Sequence, residues 1–277
     1  MATHTYGSDL TDDEWALLSE VWPPRSARGA PPKWSTREIV NAVLYVLRGG
    51  IAWRALPHEF PPWETVYYHF RQLRLAGVWE RINTALRRIY RVRIGRSPDP
   101  HAAIIDSQSA KTTESGGPRG FDGNKKVNGR KRHILVDTLG LLLKVVVHPA
   151  NLHDRVGGRL LVQAVKGELP TLEKIWADQG YAGQFKHWAS QELNLEFEVV
   201  YPWWRQMKRY MPEWLEAQGF DDKAFHVLPR RWVVERSFAW MGRNRRLSRD
   251  FETLPETEET WCYLAMTRLL LRRLATI

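Results

Sequence analysis

Apolar positions recur with a helical period from Leu10 to about Val92. Thr11-Asp12-Asp13-Glu14 precedes Trp15, Leu17, Leu18 and Val21, so Thr11 and Glu14 stand three apart in the capping-box arrangement that opens a helix. Pro23-Pro24 ends it. Ser35-Thr36-Arg37-Glu38 opens a second helix with Ile39, Val40, Val43, Leu44 and Leu47 on one stripe and Gly49-Gly50 at its end. A proline-bearing loop leads to a third helix through Val66, Tyr67, Phe70 and Leu73. A fourth, from Val78 to about Tyr90, runs into the basic tract Arg87, Arg88, Arg91, Arg93 and Arg96. Ser97-Pro98-Asp99-Pro100 then reads as a linker.

Behind the linker the period shortens. Ala102–Asp106 reads as a buried strand ending at an aspartate, and Arg132–Asp137 and Leu141–His148 as a hairpin turning at Thr138-Leu139-Gly140. Strands at Lys174–Asp178 and Glu196–Tyr201 alternate with helices at Arg159–Val165 and Phe185–Leu193. Helices over Pro229–Arg243 and Glu256–Leu274 follow. The expected architecture is therefore a helical region over residues 1–96 and a mixed α/β domain over residues 101–277.

The 277 residues carry 41 Lys+Arg against 31 Asp+Glu, a formal charge of +10. An excess of this size points to a polyanionic partner. The single cysteine, Cys262, excludes a disulfide framework or a multi-cysteine zinc site. No apolar run reaches the roughly 18 residues of a membrane span and the first residues are polar, so a cytoplasmic location with no membrane partner is expected.

Three acids stand in informative settings. Asp106 and Asp178 close expected strands, and Glu235 lies inside an expected helix. Ligands of sheet domains gather at strand ends, and converging carboxylates make a hard-oxygen site suited to Mg2+, with Mn2+ as the alternative. Asp106 or Asp178 taken alone reads more readily as a turn or cap residue, and Glu235 alone as the partner of Arg231 four residues back.

The stretches around these acids are distinctive: Asp106-Ser107-Gln108-Ser109-Ala110-Lys111-Thr112-Thr113-Glu114, Gly129-Arg130-Lys131-Arg132-His133-Ile134-Leu135-Val136-Asp137, Ala177-Asp178-Gln179-Gly180-Tyr181 and Pro229-Arg230-Arg231-Trp232-Val233-Val234-Glu235-Arg236. With Ala52-Trp53-Arg54-Ala55-Leu56-Pro57 and Pro62-Trp63-Glu64-Thr65-Val66-Tyr67, the chain resembles, nearly end to end, the DDE transposases of small bacterial insertion sequences, specifically the insertion-sequence-five group. The resemblance implies an RNase H-like catalytic fold with Asp106, Asp178 and Glu235 as catalytic and metal-binding triad. It also implies double-stranded DNA (element ends and target) as substrate and a homodimer on DNA. The wider class often carries Tyr, Arg, Glu and Lys around the final acid. Here Arg231 and Glu235 fit, but Leu228 replaces the tyrosine and Gly242 the lysine, leaving Arg243 or Arg246 as stand-ins.

Between Lys111 and Arg132 seven Lys/Arg face two acids among several glycines, which reads as a flexible positive loop at the mouth of the site. Lys111, Lys125, Lys126, Arg130, Lys131 and Arg132 are the expected phosphate contacts, together with Arg231, and Arg130-Lys131-Arg132 is the foremost group. Asp154 reads as a helix N-cap; by the resemblance His153 and Asp154 orient DNA or water. Arg71, Arg74, Arg87 and Arg88 are the expected exposed basic residues of the helical region, which either binds DNA or dimerises. The aromatic-basic cluster Trp203, Trp204, Arg205, Lys208 and Arg209 is readable as a base-stacking platform or as core. A nuclease that hydrolyses without joining, and a non-catalytic DNA-binding derivative, remain the alternatives.

Overall fold

The computed structural model describes residues 6–24, 32–201, 203–219, 221 and 228–277, apart from the side chains of residues 203, 205, 206, 215 and 229. Both capping boxes form. Thr11 Oγ1 accepts from the Glu14 N–H while Glu14 accepts from the Thr11 N–H, opening α1 (Asp12–Val21). Ser35 and Glu38 repeat the exchange at α2 (Thr36–Gly49), satisfying amide donors that a helix start otherwise leaves bare. Gly50 ends α2 in the left-handed region at φ 67°, and a Cβ there would lie 2.9 Å from the Arg245 Cβ. Only glycine meets both conditions. Helices α3 (Trp63–Leu75) and α4 (Val78–Arg93) complete the first region, with α4 running past the expected end at Tyr90.

The remainder builds a mixed sheet. Strand β1 (Ala102–Lys111) pairs antiparallel with β3 (Val127–Asp137) on one side and parallel with β5 (Lys174–Ala177) on the other. Parallel β6 (Glu196–Val199) lies outside β5. The far edge of β3 is shared by β2 (Gly120–Asp122), opposite residues 127–129, and by β4 (Leu142–Pro149), opposite residues 130–136. Three antiparallel strands thus lead, through β1, into two parallel ones.

Strand alternation sends neighbouring β1 residues to opposite cores. Ile104 joins Val136, Val145, Trp176, Val234 and Phe238 under α4, α9 (Pro229–Gly242) and α10 (Pro255–Leu274). Ala103 and Ile105 join Leu135, Leu161, Tyr181, Phe185 and Phe197 under α5 (Asp154–Val165) and α6 (Gln184–Leu193). The first of these cores continues without a break into α1, α2 and α3, so the helical region and the sheet are packed on one hydrophobic mass. Helices α7 (Trp203–Tyr210) and α8 (Pro212–Ala217) lie in the stretch between β6 and α9, for which no element was expected. Of the aromatic-basic cluster read as a stacking platform or as core, the Trp203 and Arg205 side chains lie outside the described ones. No helix among the described residues is long and apolar enough to cross a membrane.

Two expectations about the sheet need correction. Asp106 does not end β1; the strand continues five residues further, because Ser107 to Lys111 pair in register with His133 back to Gly129. The positive loop is correspondingly shorter: β2 and the first half of β3 occupy much of it. Lys126, at φ 53°, makes part of the tight turn between them.

His133 Nδ1 and His148 Nε2 lie 2.8 Å apart inside the α5 face, their rings stacked. Burial holds both pKa values below the ordinary histidine range, and the His148 ring adds to the penalty for protonating His133. The unfolded chain therefore binds protons that the fold refuses. Stability is full above the unfolded pKa near 6.5 and falls as pH drops below it, by at most about 1.4 kcal/mol per pH unit for each proton. Melting temperature measured from pH 7.5 to 4.5 should fall, and His133→Gln should flatten that decline.

Candidate active site

Asp106 lies in mid-strand, on the same face as Ile104, two residues beyond the last β1–β5 pair and still paired with β3. Asp178 follows β5 immediately and starts a single 3-10 turn, its Oδ1 accepting from the Gly180 N–H at 2.8 Å. Both side chains are half-buried. The Asp106 pKa is pushed up to about 7, first by burial and then by the charge of Asp178 beside it; the Ser107 N–H (2.7 Å from Oδ1), Arg231 and Lys125 oppose the shift. The structure thus brings two acids together whose mutual repulsion is only partly compensated.

Glu235 is carried on α9, which packs across β1 and β5 on the Asp106 face. Its carboxylate stands 3.6 Å from the Arg231 guanidinium, one helical turn away. The Arg231 charge also bears on Asp106, so one cation serves both the helix acid and a sheet acid. Among the described residues, no three His, Cys, Asp or Glu side chains close on a point tightly enough to hold a metal ion.

A hard divalent cation nevertheless suits what is present. Mg2+ is commonly held by one or two carboxylates, with water and substrate phosphate filling the remaining positions. Two adjacent aspartates, one of them reluctant to ionise, supply such a donor set and would be relieved by the positive charge.

The expected DNA contacts divide sharply. Lys111, Lys125, Lys126, His153 and Arg243 are exposed, and Arg231 is half-buried. Arg130, Lys131, Arg132 and Arg246 are buried and each is already paired with an acid of the fold. Arg130 donates to the Asp250 carboxylate at 2.9 Å and to the carbonyls of Pro118, Glu252 and Thr253. Arg132 is paired with Glu258 and donates to the Leu247 carbonyl. Lys131 donates to Asp154 and to the Leu152 carbonyl. Arg246 is clamped by Glu252 and the Ile51 carbonyl, which leaves Arg243 as the one stand-in of the two still facing solvent.

In the helical region Arg87 is buried, Arg74 half-buried, and Arg88 grips Asp99 through two hydrogen bonds. The expected cap at residue 154 is also displaced by one position: His153 is the N-cap of α5, and Asp154 is turned inward toward Lys131. The sequence signal for these buried pairs was the acid-rich stretch Asp250, Glu252, Glu256, Glu258 and Glu259, which no reading of local spacing connects to β3.

Comparison with known proteins decides the family. Residues 97–270 match the family model described as "Transposase DDE domain", more than half of the chain. The chain belongs to the DDE transposases. Residues 10–83 of this transposase match a second model, described as "Putative transposase of IS4/5 family". An "Insertion element IS402 uncharacterized 16.2 kDa protein" from Burkholderia cepacia is 31% identical over 115 residues, covering 39% of this chain and 76% of that protein.

Among solved structures, the simian T-cell lymphotropic virus intasome in complex with PP2A regulatory subunit B56 gamma is similar over 50% of this chain. This chain spans about half, 47%, of that one, at 14% identity and a TM-score of 0.27. The Mos1 mariner paired end complex with Mn is similar over 83% of each chain, at 13% identity and a TM-score of 0.23. Neither superposition is close enough to bear on mechanism. The family assignment and the strand order together make the catalytic part an RNase H-like α/β domain, and make the chain an enzyme that acts on DNA.

Proposed function

We propose that this transposase cuts the ends of its own element and joins them to target DNA at the Asp106–Asp178 site, with Glu235 as the third acid. The observation that carries this reading is the adjacency of Asp106 and Asp178 at the β1–β5 junction within a domain of the DDE family. Asp106 and Asp178 would hold Mg2+ or Mn2+, and Glu235 would join them once Arg231 is drawn to a phosphate. The bound ions supply activation of the attacking oxygen and neutralisation of the leaving one.

The chain's own residues do the remainder. The Ser107 and Gly180 N–H groups fix one oxygen of each aspartate, leaving the others to face the substrate. Lys125, whose Nζ donates to the Ser107 carbonyl at 3.0 Å, keeps a positive charge beside Asp106 where a phosphodiester would lie. Water opens the phosphodiester at the element's end, and the freed 3′-OH then attacks the target strand in a transesterification.

Two ends must be held together for this, which favours a homodimer on DNA, with residues 1–96 binding the ends or joining the protomers. The test uses a plasmid carrying the coding sequence with its native flanks. Nicks at the flanks followed by joined products support the proposal, whereas nicks that never join favour a nuclease. Exposed Lys111, Lys126 and Arg243 should track phosphates. Their triple alanine variant should bind DNA with a log–log salt slope shallower by about 0.9 per lost contact, and an unchanged slope would remove them from the interface.

A further inference from the structure

Asp154, the first residue of α5, is a third aspartate of the same cluster. Its Oδ1 accepts from Lys131 Nζ at 2.9 Å and from Ser107 Oγ at 3.0 Å. Lys131 is 5% exposed in its side chain, with Asp122 as its other acidic neighbour at 3.5 Å. A cation so enclosed neutralises carboxylates; it does not reach a phosphate. Ser107 holds two aspartates at once, Asp154 through its hydroxyl and Asp106 through its N–H.

On the other side stands Gly180. A Cβ built there would lie 3.0 Å from Asp178 Oδ1 and 3.6 Å from Asp154 Oδ2, so both oxygens face the space its missing side chain leaves. Burial, and after it the charges of Asp106, Asp154 and Asp178, push the pKa of the buried Tyr181 hydroxyl up.

We infer that Asp154 is a positioning residue of the Asp106–Asp178 site, locked by Lys131 and Ser107. The inference rests on the proposal that those two acids carry the chemistry. Through Ser107, Asp154 ties the backbone that fixes Asp106 to the start of α5. Across Gly180 it sets the negative field on Asp178. Outer carboxylates that orient metal-holding groups typically alter affinity or activity about 10- to 100-fold when changed.

The experiment compares wild type, Asp106→Asn, Asp154→Asn and Ser107→Ala in three measurements: single-turnover nicking, DNA affinity, and Mn2+ binding followed by the electron paramagnetic signal of the free ion. Asp154→Asn and Ser107→Ala should each slow nicking about 10- to 100-fold and raise the Mn2+ concentration for half-saturation, with DNA affinity unchanged. A purely structural part in the fold would not weaken Mn2+ binding by the folded protein. If Asp154→Asn fails to fold, Ser107→Ala, which keeps every charge, decides alone. Wild-type nicking and Mn2+ binding in both variants, with Asp106→Asn inactive, would overturn the inference only. Full activity of Asp106→Asn would instead overturn the reading beneath it.

Discussion

Arg130→Ala is expected to lower folding stability by about 3–5 kcal/mol, the usual cost of removing one partner from a buried ion pair. Arg130 and Asp250 are both fully buried, and the guanidinium also donates to the carbonyls of Pro118, Glu252 and Thr253. Deletion would strand the Asp250 charge and leave those carbonyls without a donor. It would also unfasten the segment from Asp250 to Thr253 from β3. Denaturant unfolding measures the loss directly. A stable variant whose DNA binding had instead lost salt dependence would show that Arg130 reaches phosphate, against the geometry.

Asp106→Asn and Asp178→Asn should have the opposite signature: activity falls while stability does not. Each is expected to reduce nicking by about three orders of magnitude or more, equivalent to about 4 kcal/mol of barrier. An Asp106 pKa raised to about 7 means that the folded protein pays for ionising this group at neutral pH. That cost is absent below the unfolded aspartate pKa near 4 and grows as pH rises towards 7. Neutral asparagine removes it, so Asp106→Asn should melt at the same temperature as wild type or higher at pH 8. A gain of about 1 kcal/mol would appear as roughly 2–4 °C in a chain of this size. Loss of activity accompanied by unfolding would point to a structural part for the acid instead.

What could be read from the chain depended on the range of the interaction. The Thr11–Glu14 and Ser35–Glu38 boxes, the turn at Gly140 and the alternation through Ala103, Ile104 and Ile105 are local devices, and all form. The continuation of β1 through Ser107-Gln108-Ser109-Ala110-Lys111 was not legible, because polar residues of low strand preference are held there by pairing with β3 and by other distant partners. Arg130-Lys131-Arg132 looks like a nucleic-acid contact in one dimension. Its partners lie 120 residues away for Arg130 and 23 for Lys131, and only folding reveals that the charges are spent on the protein. Asp154 was legible as a helix start, but its inward turn onto Ser107 and Lys131 was not. Asp106, Asp178 and Glu235 stood out because their family context is distinctive; the approach of Asp106 to Asp178 is tertiary, and Glu235 is instead paired with Arg231.

The convergence of Asp106, Asp178 and Glu235 is most directly tested by anomalous diffraction from crystals of the protein bound to an element end and soaked in Mn2+. A strong peak should lie between Asp106 and Asp178, with the Glu235 carboxylate released from Arg231 and turned into its coordination shell. Ordered DNA with no peak at these aspartates, or a peak there with Glu235 still paired to Arg231, would contradict the three-acid site.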